Sequence, residues 1–173
     1  NNSGSRFGRP TSASINNTVN ILNNTIQNCT YPSSGTSTLW LLYNGVGVAA
    51  DSLGSASLNI TGNQLLNNSF SSNTSGTMFG IISQKINDVG VISNNTISGN
   101  SNTGNTGSAL RTIVTGLGGH STGTIPYAQN LTVSGNTISG NTTTATTGAV
   151  DGIAVETYTG SSPQAGTSVT ISN

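Results

Sequence analysis

Short alternating runs of apolar and polar residues punctuate this chain, and one phrase built on them returns four times. The first copy reads Val19-Asn-Ile21-Leu-Asn23-Asn24-Thr25-Ile26-Gln27-Asn28, and the second Leu58-Asn-Ile60-Thr-Gly62-Asn63-Gln64-Leu65-Leu66-Asn67. The third is Ile92-Ser-Asn94-Asn95-Thr96-Ile97-Ser98-Gly99-Asn100, and the fourth Leu131-Thr-Val133-Ser-Gly135-Asn136-Thr137-Ile138-Ser139-Gly140-Asn141. Val169-Thr-Ile171-Ser172-Asn173 begins a fifth. In each copy Val/Leu-x-Ile reads as a short strand with its β-branched residues on one face. The Asn-Asn or Gly-Asn pair that follows tolerates φ > 0 and turns the chain sharply. Thr-Ile-Ser is then a second short strand. No apolar stripe of period 3.6 runs for a useful length, so essentially no helix is expected.

A third element lies between copies, introduced each time by glycine. It reads Gly35-Thr-Ser-Thr-Leu39-Trp40-Leu41-Leu42-Tyr43, then Gly76-Thr-Met78-Phe79-Gly-Ile81-Ile82. Later it is Gly107-Ser-Ala109-Leu110-Arg-Thr-Ile113-Val114, then Gly148-Ala-Val150-Asp-Gly-Ile153-Ala-Val155. These are the most hydrophobic stretches of each repeat and are expected to be a third strand. Their apolar positions do not align, so no register is assigned to them.

The second Asn of the phrase marks its phase at Asn24, Asn63, Asn95 and Asn136, so the intervals from 24 to 63, 63 to 95 and 95 to 136 are 39, 32 and 41 residues. Uneven spacing with a constant phrase fits a solenoid whose coils keep their strands and vary their loops. Hairpin folds have no reason to repeat one Asn turn at a fixed phase. In a parallel β-helix equal phases stack at the inter-strand spacing of ~4.8 Å. Ile21, Ile60, Ile92, Val133 and Ile171 would form one inward ladder, and Ile26, Leu65, Ile97 and Ile138 a second. Asn24, Asn63, Asn95 and Asn136 would stack at the corner, each amide bonding its neighbours above and below. The expected fold is all-β: a right-handed parallel β-helix of about four to five coils, three short strands per coil, with variable loops. Residues 1–173 form one domain or part of a longer helix, with 1–16 a loop or incomplete first coil.

The phrase Ile-x-x-Asn-Thr-Ile-x-x-Asn resembles the parallel β-helix repeat of pectin-lyase-like proteins, bacterial surface passengers and adhesins, and phage tailspikes. The resemblance runs from about Asn17 to Asn173. It implies the fold and leaves function open, because the scaffold hosts lyases, hydrolases, epimerases and inert stalks alike.

Composition narrows the setting. Four basic and four acidic residues leave the chain 5% charged with zero formal net charge, against about 25% charged in ordinary domains. A polar, nearly uncharged surface suits a secreted or cell-surface protein. Patterned apolar residues at 32% separate the chain from a disordered linker. Basic residues are too few for a nucleic-acid footprint. No apolar run approaches the ~18 residues of a membrane span. The single Cys29 has no internal disulfide partner and is expected to be a buried thiol.

Candidate chemistry is sparse. Glycosidic hydrolysis needs two carboxyl groups facing each other across the scissile bond. Asp51 and Asp88 fall at different phases, 12 residues before Asn63 and 7 before Asn95, and are not expected to stack. Asp151 and Glu156 sit five apart on one strand and are expected to be solvated or loop-anchoring. His120, at the end of Gly116-Leu-Gly-Gly, lacks the paired Asp and the Arg-Ile-Lys motif that accompany Gly-His-Gly in polygalacturonases. One His, one Cys and no acid cluster at ligand spacing argue against a metal, and no catalytic residue, cofactor or metal is assigned.

Asn-x-Ser/Thr occurs ten times, against roughly seven by chance in so Asn-, Ser- and Thr-rich a chain. Beyond Asn1, the candidate glycan attachment points are Asn16, Asn23, Asn28, Asn59, Asn67, Asn73, Asn94, Asn130 and Asn141. Trp40, Tyr43 and Phe79 either fill the core or stack on sugars. The run Thr142 to Thr147 is a single loop, so it offers no Thr ladder. The expected function is that of an extracellular structural or adhesive β-helix segment, joined to neighbouring coils or to itself end to end through strand edges. The alternative is a carbohydrate-binding or carbohydrate-cleaving domain with surface glycans as partners. The stretches Ser69 to Gly76 and His120 to Gln129 are expected loops.

Overall fold

The computed structural model describes residues 18–33, 35, 37–44, 55–72, 75–83, 86–104, 107–117, 130–157 and 168–173. Within them the chain winds through four coils and the first strand of a fifth. The first coil contains β1 (Thr18–Leu22), β2 (Thr25–Gln27), β3 (Thr30–Ser33) and β4 (Ser37–Asn44). The second contains β5 (Ser55–Thr61), β6 (Gln64–Leu66), β7 (Ser69–Ser72) and β8 (Gly76–Ser83). The third contains β9 (Ile86–Ser93), β10 (Thr96–Ser98), β11 (Ser101–Asn102) and β12 (Ala109–Leu117). The fourth contains β13 (Asn130–Ser134), β14 (Thr137–Ser139), β15 (Thr142–Thr143) and β16 (Val150–Thr157), and β17 (Ser168–Ser172) follows.

Each strand pairs in parallel with its equivalent one coil away. The sheets run β1-β5-β9-β13-β17, β2-β6-β10-β14, β3-β7-β11-β15 and β4-β8-β12-β16. The chain is therefore an all-β parallel solenoid. It has four strands per coil, one more than the three expected from hydrophobic alternation. The extra sheet, β3-β7-β11-β15, falls where Ser69 to Gly76 reads as a loop. Its strands are two to four residues long, mostly Ser and Thr around one inward side chain, too short to show a period. That inward column is Tyr31, Phe70, Asn102, Thr143. Tyr31 and Phe70 stack with ring centroids 5.8 Å apart. Asn102 is fully buried and donates from Nδ2 to Gly76 O (3.0 Å) and Ala109 O (2.7 Å).

The first sheet aligns Ile21, Ile60, Ile92, Val133 and Ile171, and the second aligns Ile26, Leu65, Ile97 and Ile138. Apart from the exposed Ile171, both columns pack into one core along the axis. The fourth sheet aligns Leu39, Met78, Leu110 and Val150, and Leu42, Ile81, Ile113 and Ile153. Leu41 and Leu42 are both buried although adjacent, so this strand breaks the alternation of a flat sheet and its apolar residues carry no period of two. At that break Gly80 sits against the next coil: a Cβ there would lie 2.5 Å from Thr112 O. Thr115 Oγ1, also buried on β12, has no hydrogen-bond partner among the described residues. Thr115→Val is expected to raise stability by about 1 kcal/mol, because it removes a desolvated hydroxyl at nearly constant shape; a lower melting temperature would refute this.

Candidate functional site

The repeated phrase builds two corners per coil, five residues apart, by one local rule. The first residue of each pair takes φ > 0, and the second is the ladder position. At the first corner the positive-φ residues are Asn23 (φ 55), Gly62 (70), Asn94 (53) and Gly135 (60). At the second they are Asn28 (56), Asn67 (53), Gly99 (67) and Gly140 (61). Asn and Gly are the residues that adopt this region most cheaply. At three of the glycines packing along the column also favours a missing Cβ. A Cβ on Gly62 would collide with the Asn23 side chain from the coil before, and Gly99 and Gly135 stand in the same relation to Asn67 and Asn94.

The ladder residues at the first corner are Asn24, Asn63, Asn95 and Asn136. The backbone N–H and Nδ2 of Asn24 both donate to Asn63 Oδ1 (2.9 and 2.9 Å). Asn63 donates likewise to Asn95 Oδ1 (2.9 and 2.9 Å), and Asn95 to Asn136 Oδ1 (3.0 and 2.9 Å). The Nδ2 groups of Asn63, Asn95 and Asn136 also reach back to the carbonyls of Ile21, Ile60 and Ile92 (2.9, 2.9 and 2.8 Å). Asn63 and Asn95 are fully buried. An amide satisfied on every side this way is an inexpensive polar group to bury.

A second ladder, missed in the sequence reading, runs through the second corner. Asn68 donates from N and Nδ2 to Asn100 Oδ1 (3.0 and 2.9 Å), and Asn100 to Asn141 Oδ1 (3.0 and 2.9 Å). The first coil has Cys29 at this phase. Its backbone N–H donates to Asn68 Oδ1 (3.1 Å), but the thiol adds no amide bond. Cys29 is exposed, correcting the expectation of a buried thiol: among the described residues no corner residue stacks on it from the N-terminal side. Cys29→Asn restores the amide and is expected to stabilise the fold by about 1 kcal/mol. In thermal unfolding that is a rise of roughly 2–4 °C; an unchanged melting temperature would show that the end position adds nothing.

The candidate glycan positions separate by geometry. Asn23, Asn28, Asn67 and Asn94 are exposed corner residues with φ > 0. Each begins Asn-x-Ser/Thr because the corner rule sets an outward Thr or Ser two residues on, as in Asn94-Asn95-Thr96. The Asn141 amide is instead spent in the ladder, donating to Ile97 O (2.7 Å). Asn59 Oδ1 accepts from the Thr61 hydroxyl, and Asn130 Oδ1 accepts from Ser168 Oγ (2.8 Å). Asn16 and Asn73 lie outside the described residues, as do Asp51, His120, residues 1–16 and the expected loop from His120 to Gln129.

Among the described acids, Asp151 pairs with Arg111 Nε at 2.8 Å, with both side chains partly exposed. It is thus an ion-paired residue on the outer face of β16 rather than a free acid. One register column of the fourth sheet carries Trp40, Phe79, Arg111 and Asp151 in successive coils. Asp88 lies in β9 and Glu156 in β16, where Glu156 is paired in register with Gly116. Among the described residues no group of three or more His, Cys, Asp or Glu is placed to hold a metal, and no helix is long and apolar enough to cross a membrane.

The two ends of the stack differ. Val150, Ile153 and Ile171 continue the core columns at the C-terminal edge and are 44%, 37% and 54% exposed. Met78, Ile81 and Ile92, their respective equivalents within the stack, are buried. At the other end a concavity of about 410 Å³ opens in the first coil, lined by Ile21, Leu22, Asn24, Ile26, Leu41 and Leu42. No protein-family model, curated protein or solved structure matches the chain.

Proposed function

We propose that this chain is a structural or adhesive β-helix segment of an extracellular surface protein or filament, associating end to end through its strand edges. One observation carries the reading: Val150, Ile153 and Ile171 stand exposed at the end of their register columns, beside β14, β15 and β16, each of which has a partner strand on one side only among the described residues. Unpaired edges with apolar side chains behind them are adhesive. Charge scarcity supports it too, since little repulsion opposes contact between copies. Asn23, Asn28, Asn67 and Asn94 are the attachment points favoured if the segment is glycosylated. Negative-stain electron microscopy of the isolated protein tests the reading. Filaments with an axial repeat of four coils, about 19 Å at β spacing, are expected. A uniform field of single short rods at high protein concentration would remove self-association from it.

A second reading, carbohydrate binding, is favoured by the column Trp40, Phe79, Arg111 and Asp151. An indole face such as that of Trp40 stacks on sugars, and charged groups such as Arg111 and Asp151 bond their hydroxyls. Because Trp40 is the chain's one tryptophan, its fluorescence reports on that column directly. A saturable change on titrating a soluble polysaccharide would support this reading; an invariant spectrum across a glycan panel would exclude the column as the binding strip.

A further inference from the structure

The corner rule sorts Asn-x-Ser/Thr by phase. Two residues after each positive-φ corner position the side chain faces outward, and Thr or Ser stands there in every coil except at Gln64. Two residues after each ladder asparagine the side chain faces inward, at core positions such as Ile26, Leu65 and Ile97. All four positive-φ asparagines, Asn23, Asn28, Asn67 and Asn94, therefore begin Asn-x-Ser/Thr, and of the ladder asparagines only Asn141 does. Side-chain geometry goes with the phase. The four corner residues are exposed, and their amides make no hydrogen bond among the described residues. In Asn23, Asn67 and Asn94, Oδ1 is the atom nearest to where a Cβ would stand on the glycine of the next coil. Nδ2, the other branch of each planar amide, is thus turned away from that coil. The Nδ2 of Asn141 donates to Ile97 O (2.7 Å).

Resting on the extracellular setting proposed above, we propose that Asn23, Asn28, Asn67 and Asn94 carry asparagine-linked glycans that keep one flank of the solenoid clear of other copies. The co-reactant is a lipid-linked sugar diphosphate, brought by a transferase. Nδ2 forms a bond to C1 of the sugar and gives up one proton to a base of the transferase. The C1–O bond breaks, and the lipid diphosphate leaves with its electron pair. The fold tolerates the product because neither ladder uses these amides. The sugars stand at the two corners that bound β2-β6-β10-β14. A whole sheet separates either corner from the fourth-sheet column of Trp40, which they leave uncovered. Bulky, hydrated chains at both corners block side-by-side contact across the second sheet.

Peptide mass spectrometry on the protein isolated from its source tests the assignment. Enzymatic release of the sugars in heavy-oxygen water turns each carrier into a labelled aspartate. Label is expected at the four corners and not at Asn141. Four unlabelled corners, or a labelled Asn141, would overturn the assignment. A variant tests it independently: Asn23→Gly, Asn28→Gly, Asn67→Gly and Asn94→Gly together. Glycine already occupies the equivalent corner positions at 62, 99, 135 and 140, so the turns keep φ > 0. Secreted from a eukaryotic host, this variant is expected to keep the wild-type circular dichroism spectrum. On a denaturing gel it should lose most of the mobility shift that enzymatic deglycosylation removes from wild type. An undiminished shift would place the sugars elsewhere and overturn the assignment. Filaments bare of sugar would overturn it and leave self-association standing; glycosylated chains that remain single rods would do the reverse.

Discussion

Asn95→Ala is expected to destabilise the fold by about 3–5 kcal/mol, among the largest effects of any single substitution in this chain. The Asn95 side chain accepts two bonds from Asn63 and donates one to Ile60 O and one to Asn136 Oδ1, all within 2.9 Å, in a fully buried position. Alanine removes all four. The Asn63 N–H and one Nδ2 hydrogen are left buried without an acceptor, at about 1–3 kcal/mol for each unsatisfied group. Asn24→Ala, at the exposed end of the same ladder, orphans no donor and is expected to cost less than half as much. Urea unfolding of the two variants measures the difference. Equal losses would mean that the ladder contributes through turn geometry at Asn23-Asn24 and Asn94-Asn95 rather than through its amides.

Gly80→Ala is expected to have an effect of similar size by a different route. The added Cβ would sit 2.5 Å from Thr112 O and 3.3 Å from Thr112 C, both backbone atoms of the next coil. No side-chain rotation relieves such a clash, so β8 and β12 must separate along the paired stretch Thr77–Ser83 with Ala109–Thr115. Overpacking of this kind costs typically ~1–3 kcal/mol, and lost inter-coil hydrogen bonds add to it. Gly152→Ala is the control: it occupies the equivalent column position in the last coil, and its Cβ would meet nothing within 4 Å. Comparable melting temperatures for the two variants would show that the coils can give way at Gly80.

Why some of this was legible in the chain and some not comes down to how many residues report each feature. The first corner was readable because Asn24, Asn63, Asn95 and Asn136 share one phase and are flanked on both sides by apolar residues that also share it. The second corner carries the same rule, but Cys29 breaks the column in the first copy, and Asn67-Asn68 reads as a turn ending a strand. The third sheet was invisible because one inward residue per strand, aromatic at Tyr31 and Phe70 and polar at Asn102 and Thr143, makes no period. The fourth sheet was visible as hydrophobic but not in register. Adjacent Leu41 and Leu42 both turn inward, and Gly80 and Thr112 occupy the column where Leu41 stands. The Arg111–Asp151 pair lies beyond sequence reasoning of this kind. It depends on two residues 40 apart landing on one line after loops of unequal length.

Both ladders, together with the backbone bonds that join coil to coil, lie along the solenoid axis. A load pulling the two ends apart is therefore borne by every junction in series rather than shared among them. The weakest junction yields alone, and the rest stay closed. Each rupture frees one coil of 32 to 41 residues, or roughly 110–150 Å of extended chain. A filament built this way lengthens in steps under tension and keeps its unbroken remainder folded, a mechanical fuse at the scale of a single turn.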